Sequence, residues 1–174
     1  GRDGGLMPVD TTMKGIFTST SISPDGQALA VARSESGTEG VWIKQLPAGA
    51  FTKLSTDVAD GNRPVWTPDG RFVAFLGLKD NRRTAWIRRA DGSDQTRPAV
   101  PGSPEVDEVL FHPDSRHVLL RSRGSGPGSR YLMVVEQGID TIPKDLVRSA
   151  TDSYGMSIAP NGRWLAYVSE ESGT

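Results

Sequence analysis

The chain contains no cysteine, which removes disulfides, thiolate metal centres and cysteine nucleophiles together. No apolar run approaches the roughly 18 residues that a bilayer-crossing helix needs. The opening GRDGGLMPVD has neither the basic start nor the apolar stretch of a signal peptide. Charge of one sign is also missing: 20 Lys and Arg stand against 21 Asp and Glu, a formal net charge of −1. Bulk electrostatics therefore draws the chain to neither nucleic acid nor an anionic membrane. No Gly-x-Ser-x-Gly elbow and no Gly-x-x-x-x-Gly-Lys-Ser/Thr loop occurs, so a hydrolase of the first design and a nucleotide hydrolase of the second are excluded.

Turn formers are plentiful. Twenty glycines and twelve prolines in 174 residues suit short strands joined by tight turns. Four segments match one another: Ile22-Ser23-Pro24-Asp25-Gly26, Trp66-Thr67-Pro68-Asp69-Gly70, Phe111-His112-Pro113-Asp114-Ser115 and Ile158-Ala159-Pro160-Asn161-Gly162. Their prolines are 44, 45 and 47 residues apart. An apolar triplet follows each at one offset: Leu29-Ala30-Val31, Val73-Ala74-Phe75, Val118-Leu119-Leu120 and Leu165-Ala166-Tyr167. Eighteen residues after three of the prolines stands an aromatic, Trp42, Trp86 or Tyr131.

Each unit reads as four strands. Proline presets φ, aspartate bonds nearby backbone N–H groups and glycine accepts positive φ, so x-Pro-Asp-Gly closes a hairpin. First strands are expected at 18–23, 62–67 and 106–112, aromatic third strands at 41–46, 84–89 and 130–136, and polar fourth strands at 51–55, 95–100 and 144–149. No apolar period of 3.6 persists, so helix is expected to be nearly absent. Four-stranded units of about 45 residues are the size of propeller blades. The fold class is all-β, a β-propeller fragment of about three and a half four-stranded blades. In the single partial propeller 1–174, residues 1–11 supply the last strand of a preceding blade and 12–56, 57–101 and 102–150 are blades. Residues 151–174 supply the first two strands of a further one.

The repeated Ser-Pro-Asp-Gly turn and its Leu-Ala-Val or Val-Ala-Phe strand resemble the TolB-like, WD-repeat-like β-propeller repeat family. The cadence Arg-Asp-Gly-Gly-Leu-Met-Pro-Val at residues 2–9 is most similar to propeller regions associated with bacterial serine/threonine kinases. The resemblance implies a non-catalytic binding or scaffolding fragment of a larger bacterial protein, soluble in cytoplasm or periplasm. Its ligand, protein or small molecule, stays open. Ser115 replaces the motif glycine and Asn161 the motif aspartate, and those turns are expected to differ locally. An open arc exposes the apolar faces of its end blades, so self-association is expected. A homodimer sharing a composite blade, residues 6–10 of one copy with 154–169 of the other, would close a ring of about eight blades. Closure of one chain into a four-bladed ring is the alternative.

Few constellations suggest chemistry. The recurring Asp25, Asp69 and Asp114 read as turn formers rather than as a general acid and base, and Trp42, Trp86 and Tyr131 as inter-blade packing. Residues 61–100 carry eight Arg and Lys against four Asp, a solvated surface with an anion patch as the alternative. The two arginines of 123–130 could cradle a phosphate, although a blade loop explains them, and Ser153 repeats a strand start rather than forming a nucleophile. One hairpin breaks the repeat, because it holds both histidines of the chain. His112 and His117 with Asp114, or with Asp107, could hold zinc or another divalent metal. That gives the alternative function, an adventitious metal-dependent hydrolase of activated phosphate or carboxylic esters. On the main reading there is no cofactor, and the chain is not an enzyme.

Overall fold

In a computed structural model of the chain, residues 13–124 and 126–171 are described. Four antiparallel sheets follow one another. The first holds β1 (Ile16–Ile22), β2 (Ala28–Glu35), β3 (Thr38–Gln45) and β4 (Phe51–Lys53), and the second β5 (Ala59–Trp66), β6 (Phe72–Lys79), β7 (Arg82–Arg89) and β8 (Arg97–Pro98). The third holds β9 (Val106–Phe111), β10 (His117–Ser122), β11 (Leu132–Glu136) and β12 (Lys144–Val147), and the last β13 (Ser153–Ile158) and β14 (Leu165–Ser169). Strand order within each sheet is chain order. No helix occurs among the described residues. The expected strand at 6–10 lies outside them. First strands pack on one another, β1 on β5, β5 on β9 and β9 on β13, so they converge on a common axis and the short fourth strands lie outermost. The chain is all-β, a fragment of a propeller.

The hairpin between first and second strands repeats bond for bond. Ser23 N donates to Ala28 O at 2.8 Å, Thr67 N to Phe72 O at 3.0 Å, His112 N to His117 O at 2.9 Å and Ala159 N to Trp164 O at 2.9 Å. Gly26, Gly70 and Gly162 stand at φ 71°, 67° and 71°, and Ser115 adopts φ 60° in the same place. The expected local difference is therefore absent from the backbone. The turn's bonds hold Ser115 in the left-handed region that only glycine enters without cost. Asn161 Oδ1 likewise accepts Arg163 N at 3.0 Å, as an aspartate would.

Alternation along the second and third strands places apolar side chains on both faces of each sheet, and the core forms between sheets. Val41, Ile43, Val58, Trp66, Phe75 and Trp86 fill the first interface. Leu76, Ile87, Val106, Val118, Leu120 and Met133 fill the second, and Leu119, Leu132 and Met156 the third. The aromatic pattern needs adjusting at Tyr131 and at Trp42. Val31 pairs with Trp42 and Phe75 with Trp86, but Leu120 pairs with Met133. The longer β10–β11 loop shifts the register by two, so Met133 takes the core place expected of Tyr131. Tyr131, partly buried, packs against the edge of that core and lies under Arg148, whose guanidinium carbon is 4.1 Å from the ring centroid. Trp42 is half-buried and stacks on Phe51 at 5.0 Å rather than filling an inter-blade core.

Candidate functional site

The β9–β10 turn brings His112, Asp114 and His117 together. The two rings meet edge to face with centroids 5.8 Å apart, and one ligand atom from each of the three residues lies within 4.8 Å of the others. Asp107 is not part of this group. It lies at the opposite end of β9, 2.8 Å from Arg123 Nη1 and 3.9 Å from Arg83 Nε.

Bonding within the hairpin shows what these groups do. Asp114 Oδ1 accepts from Arg116 N at 2.8 Å and His117 N at 3.0 Å, and Oδ2 lies 2.6 Å from His117 Nδ1. Burial pushes the Asp114 carboxyl up, but the backbone and imidazole donors outweigh it and hold it well below the usual carboxylate range. Asp25 and Asp69 have the same role: each accepts a backbone N–H two residues on at 3.0 Å and the Ser23 or Thr67 hydroxyl at 2.6 Å. His112 stands where those hydroxyls stand. Its Nδ1 accepts Asp114 N at 3.2 Å and its Nε2 lies 2.9 Å from Gly162 O of the last sheet. Nδ1 also lies 3.0 Å from Asp114 Oδ1, and through Nε2 His112 fastens the third sheet to the fourth. Of the four imidazole nitrogens of this hairpin, Nε2 of His117 is the one without a hydrogen-bond partner among the described residues.

The most connected polar site lies elsewhere, at the inner end of the first strands. Ser19, Arg63, Glu108 and Gly155 all stand five residues before a turn proline. Ser19 Oγ accepts Arg63 N at 3.0 Å, and Arg63 Nη1 lies 3.4 Å from Glu108 Oε1. Glu108 accepts Gly155 N and Met156 N at 3.2 Å each. One repeat position thus joins all four sheets, through the side chains of Ser19, Arg63 and Glu108 and the backbone N–H of Gly155. Sequence reasoning missed it; the signal was complementary residues at a single offset. Arg121, 6% exposed, lies beside this chain with Nε 3.5 Å from Glu108 Oε2. Nε of Arg121 and of Arg83 are buried without a hydrogen bond. A cavity of about 410 Å³ opens here, lined by Ser19, Asn62, Arg63, Arg83, Asp107 and Arg121.

The remaining basic residues disperse. Arg82 donates to Ser103 O, and Arg88 donates to the Leu54, Gly92 and Asp94 carbonyls. Arg89 pairs with Asp91 at 3.0 Å. Arg123 and Arg130, the ends of the glycine-rich loop, pair with Asp107 and Asp152 at 2.8 and 2.9 Å. Ser153 is a buried strand start.

Four sheets built on one repeat and joined near an axis identify the architecture, and the sequence profile of the TolB beta propeller domain matches residues 7–174. The chain belongs to the TolB β-propeller family. It is 30% identical over 106 residues to the Tol-Pal system protein TolB of Anaeromyxobacter dehalogenans strain 2CP-C, a match covering 59% of this chain and 24% of that protein. The chain thus matches about a quarter of the length of that relative. TolB from Acinetobacter baumannii superposes with a TM-score of 0.72 at 20% identity, covering 89% of this chain and 38% of that one. A TolB from Agrobacterium tumefaciens superposes with 0.70 at 15% identity, covering 92% and 61%. These two likenesses carry the fold alone. Among the described residues no helix is long and apolar enough to cross a membrane.

Proposed function

We propose that this TolB-family chain is a non-catalytic binding or scaffolding propeller, part of a larger bacterial protein. The observation that carries the proposal is the axial chain from Ser19 to Gly155: its charged groups tie sheets together, and beside them a polar cavity opens toward a ligand or partner. Support for a partner of the Tol-Pal class comes from the relatives, which are named Tol-Pal system proteins. The cadence at residues 2–9 supports a finer placement beside a serine/threonine kinase region. Titration calorimetry of the purified chain with Tol-Pal components tests the main reading. Saturable binding that Arg63→Glu abolishes is expected, and binding unchanged by that substitution overturns the axial assignment.

Self-association is part of the same proposal. Trp164 is 71% and Val168 59% exposed on the last sheet, and Ile16 70% and Ile22 60% on the first. Covering these ends by a second copy in a closed ring removes both apolar faces from water. Light scattering is expected to give twice 18.7 kDa, and a single-chain mass at high concentration favours closure within one chain.

The alternative, a divalent metal on His112, Asp114 and His117 activating water for ester hydrolysis, rests on their proximity. The bonds already made by His112 and Asp114 favour the turn role. Stoichiometric zinc in the purified protein together with EDTA-sensitive turnover of p-nitrophenyl esters would reverse that preference.

A further inference from the structure

The clefts between neighbouring sheets at the turn rim differ in size. Between the first and second sheets lie cavities of about 290 and 190 Å³, both lined by Gln45, Ala90 and Asp91. Arg89 holds that carboxylate at 3.0 Å and the Ser93 hydroxyl donates to it at 2.6 Å. Between the second and third sheets there is one cavity of about 540 Å³. The backbone bonds align the two turns: Ala90 N donates to Arg71 O and Gly92 N to Arg89 O, as Gln137 N does to Arg116 O and Ile139 N to Glu136 O. Gly138 therefore stands where Asp91 stands. Gly138 has a φ of 79° where Asp91 is not in the left-handed region, and the space around its Cβ position is open to 4 Å, so no side chain from this turn position narrows the wider cleft.

Its walls are apolar, with Phe72, Ile87, Ala99 and Val100 on one side and Phe111 and Val135 on the other. The volume lies in the range of small-molecule sites. The carboxylates on the lining are engaged. Asp69 accepts Thr67 and Arg71 donors, and Asp140 accepts Glu136 N at 2.9 Å and pairs with Lys144. Arg97 is different. It is exposed at the rim with its guanidinium over the Phe72 ring at 5.5 Å, and no ion pair engages it among the described residues.

We propose that this cleft binds a small monocarboxylate with an apolar body, its tail between Ile87 and Val135 and its carboxylate on Arg97. A guanidinium free of carboxylate partners at the mouth of an apolar cleft selects that chemistry: the fork can pair both oxygens, while the walls take the hydrocarbon out of water.

Octanoate is the probe, with octanol as its neutral counterpart, and binding is read from the methyl NMR signals of Ile87, Val100 and Val135. Octanoate is expected to saturate these shifts. Arg97→Gln is expected to weaken octanoate about tenfold and leave octanol unchanged. Gly138→Asn, which puts a side chain at this turn position and tolerates its φ of 79°, is expected to weaken both. Thr141→Trp at the exposed rim gives the same block without touching the glycine. Absence of saturable shifts, or octanoate binding that neither Arg97→Gln nor either blocking variant weakens, overturns the site.

Discussion

The second sheet and the last carry the same motif and live in different surroundings. Phe75 and Tyr167 both stand seven residues after a turn proline, yet Phe75 is 0% and Tyr167 38% exposed. β6 is buried along most of its length and β14 along almost none. Their turns nevertheless make the same backbone bonds. The motif thus specifies a hairpin locally, and burial comes from the neighbouring sheet. The largest expected effect tests that separation. Phe75→Ala should lower unfolding free energy by about 3–5 kcal/mol, as for large aromatic truncations in a packed core, whereas Tyr167→Ala should stay within about 0.5 kcal/mol in dilute monomer. Urea titrations of both variants measure it. If Tyr167→Ala becomes costly only as protein concentration rises, a second copy covers that face.

This difference also explains how far the sequence could be read. Residues that recur at the same offset were legible: Pro24, Pro68, Pro113 and Pro160 with their apolar triplets give the hairpins and the all-β class. Tyr131 was a partial guide: an offset from a proline does not survive an insertion in the intervening loop, so it packs at the edge of the core while Met133, which has no aromatic signature, takes the centre. The axial chain was hidden for the opposite reason. Ser19, Arg63, Glu108 and Gly155 share an offset but not a chemistry, and only the convergence of first strands turns them into one another's partners. The cleft over Gly138 was hidden further still, because it depends on a side chain that one repeat lacks.

The axial chain gives the next effect. Glu108 serves Arg63, Arg121 and two backbone N–H groups of the last sheet. Glu108→Ala removes the nearer carboxylate of the buried Arg121 guanidinium, leaving Asp107 at 4.0 Å, and is expected to lose about 2–3 kcal/mol. Glu105, more exposed and engaged chiefly with Arg83 N and Arg123, should lose much less as Glu105→Ala. Equal losses in denaturant titrations would show that the rim holds the sheets as firmly as the axis.

A smaller effect separates first and second sheets by pH. Burial pushes the Asp57 carboxyl up, but hydrogen bonds from Lys79 and Thr96 outweigh it, and its pKa lies below the ordinary 3.8. A depressed native pKa contributes stability that is full above the unfolded value and is lost as pH falls through the native one. Stability should therefore decline below about pH 4, and Asp57→Asn should flatten that decline without changing the profile near neutrality. Acid titrations of melting temperature that run parallel in both proteins would remove Asp57 from the acid response.

The smallest effects compare the two roles available to one hairpin. If Asp114 is a turn former, Asp114→Ala should resemble Asp69→Ala and cost about 1 kcal/mol, the typical net worth of such hydrogen bonds, while the half-exposed His117 as His117→Ala should cost under about 0.5 kcal/mol. A ligand set orders the residues differently. Zinc bound by three side chains stabilises the folded state only while all three are present. Added metal would then raise the melting temperature of the unaltered chain and fail to do so in His112→Ala, Asp114→Ala and His117→Ala alike. The hydrogen bonds of His112 to Asp114 N and Gly162 O predict the first ordering, with zinc and EDTA leaving every melting curve in place. His117→Ala decides between them, because only a metal makes that side chain matter as much as its two neighbours.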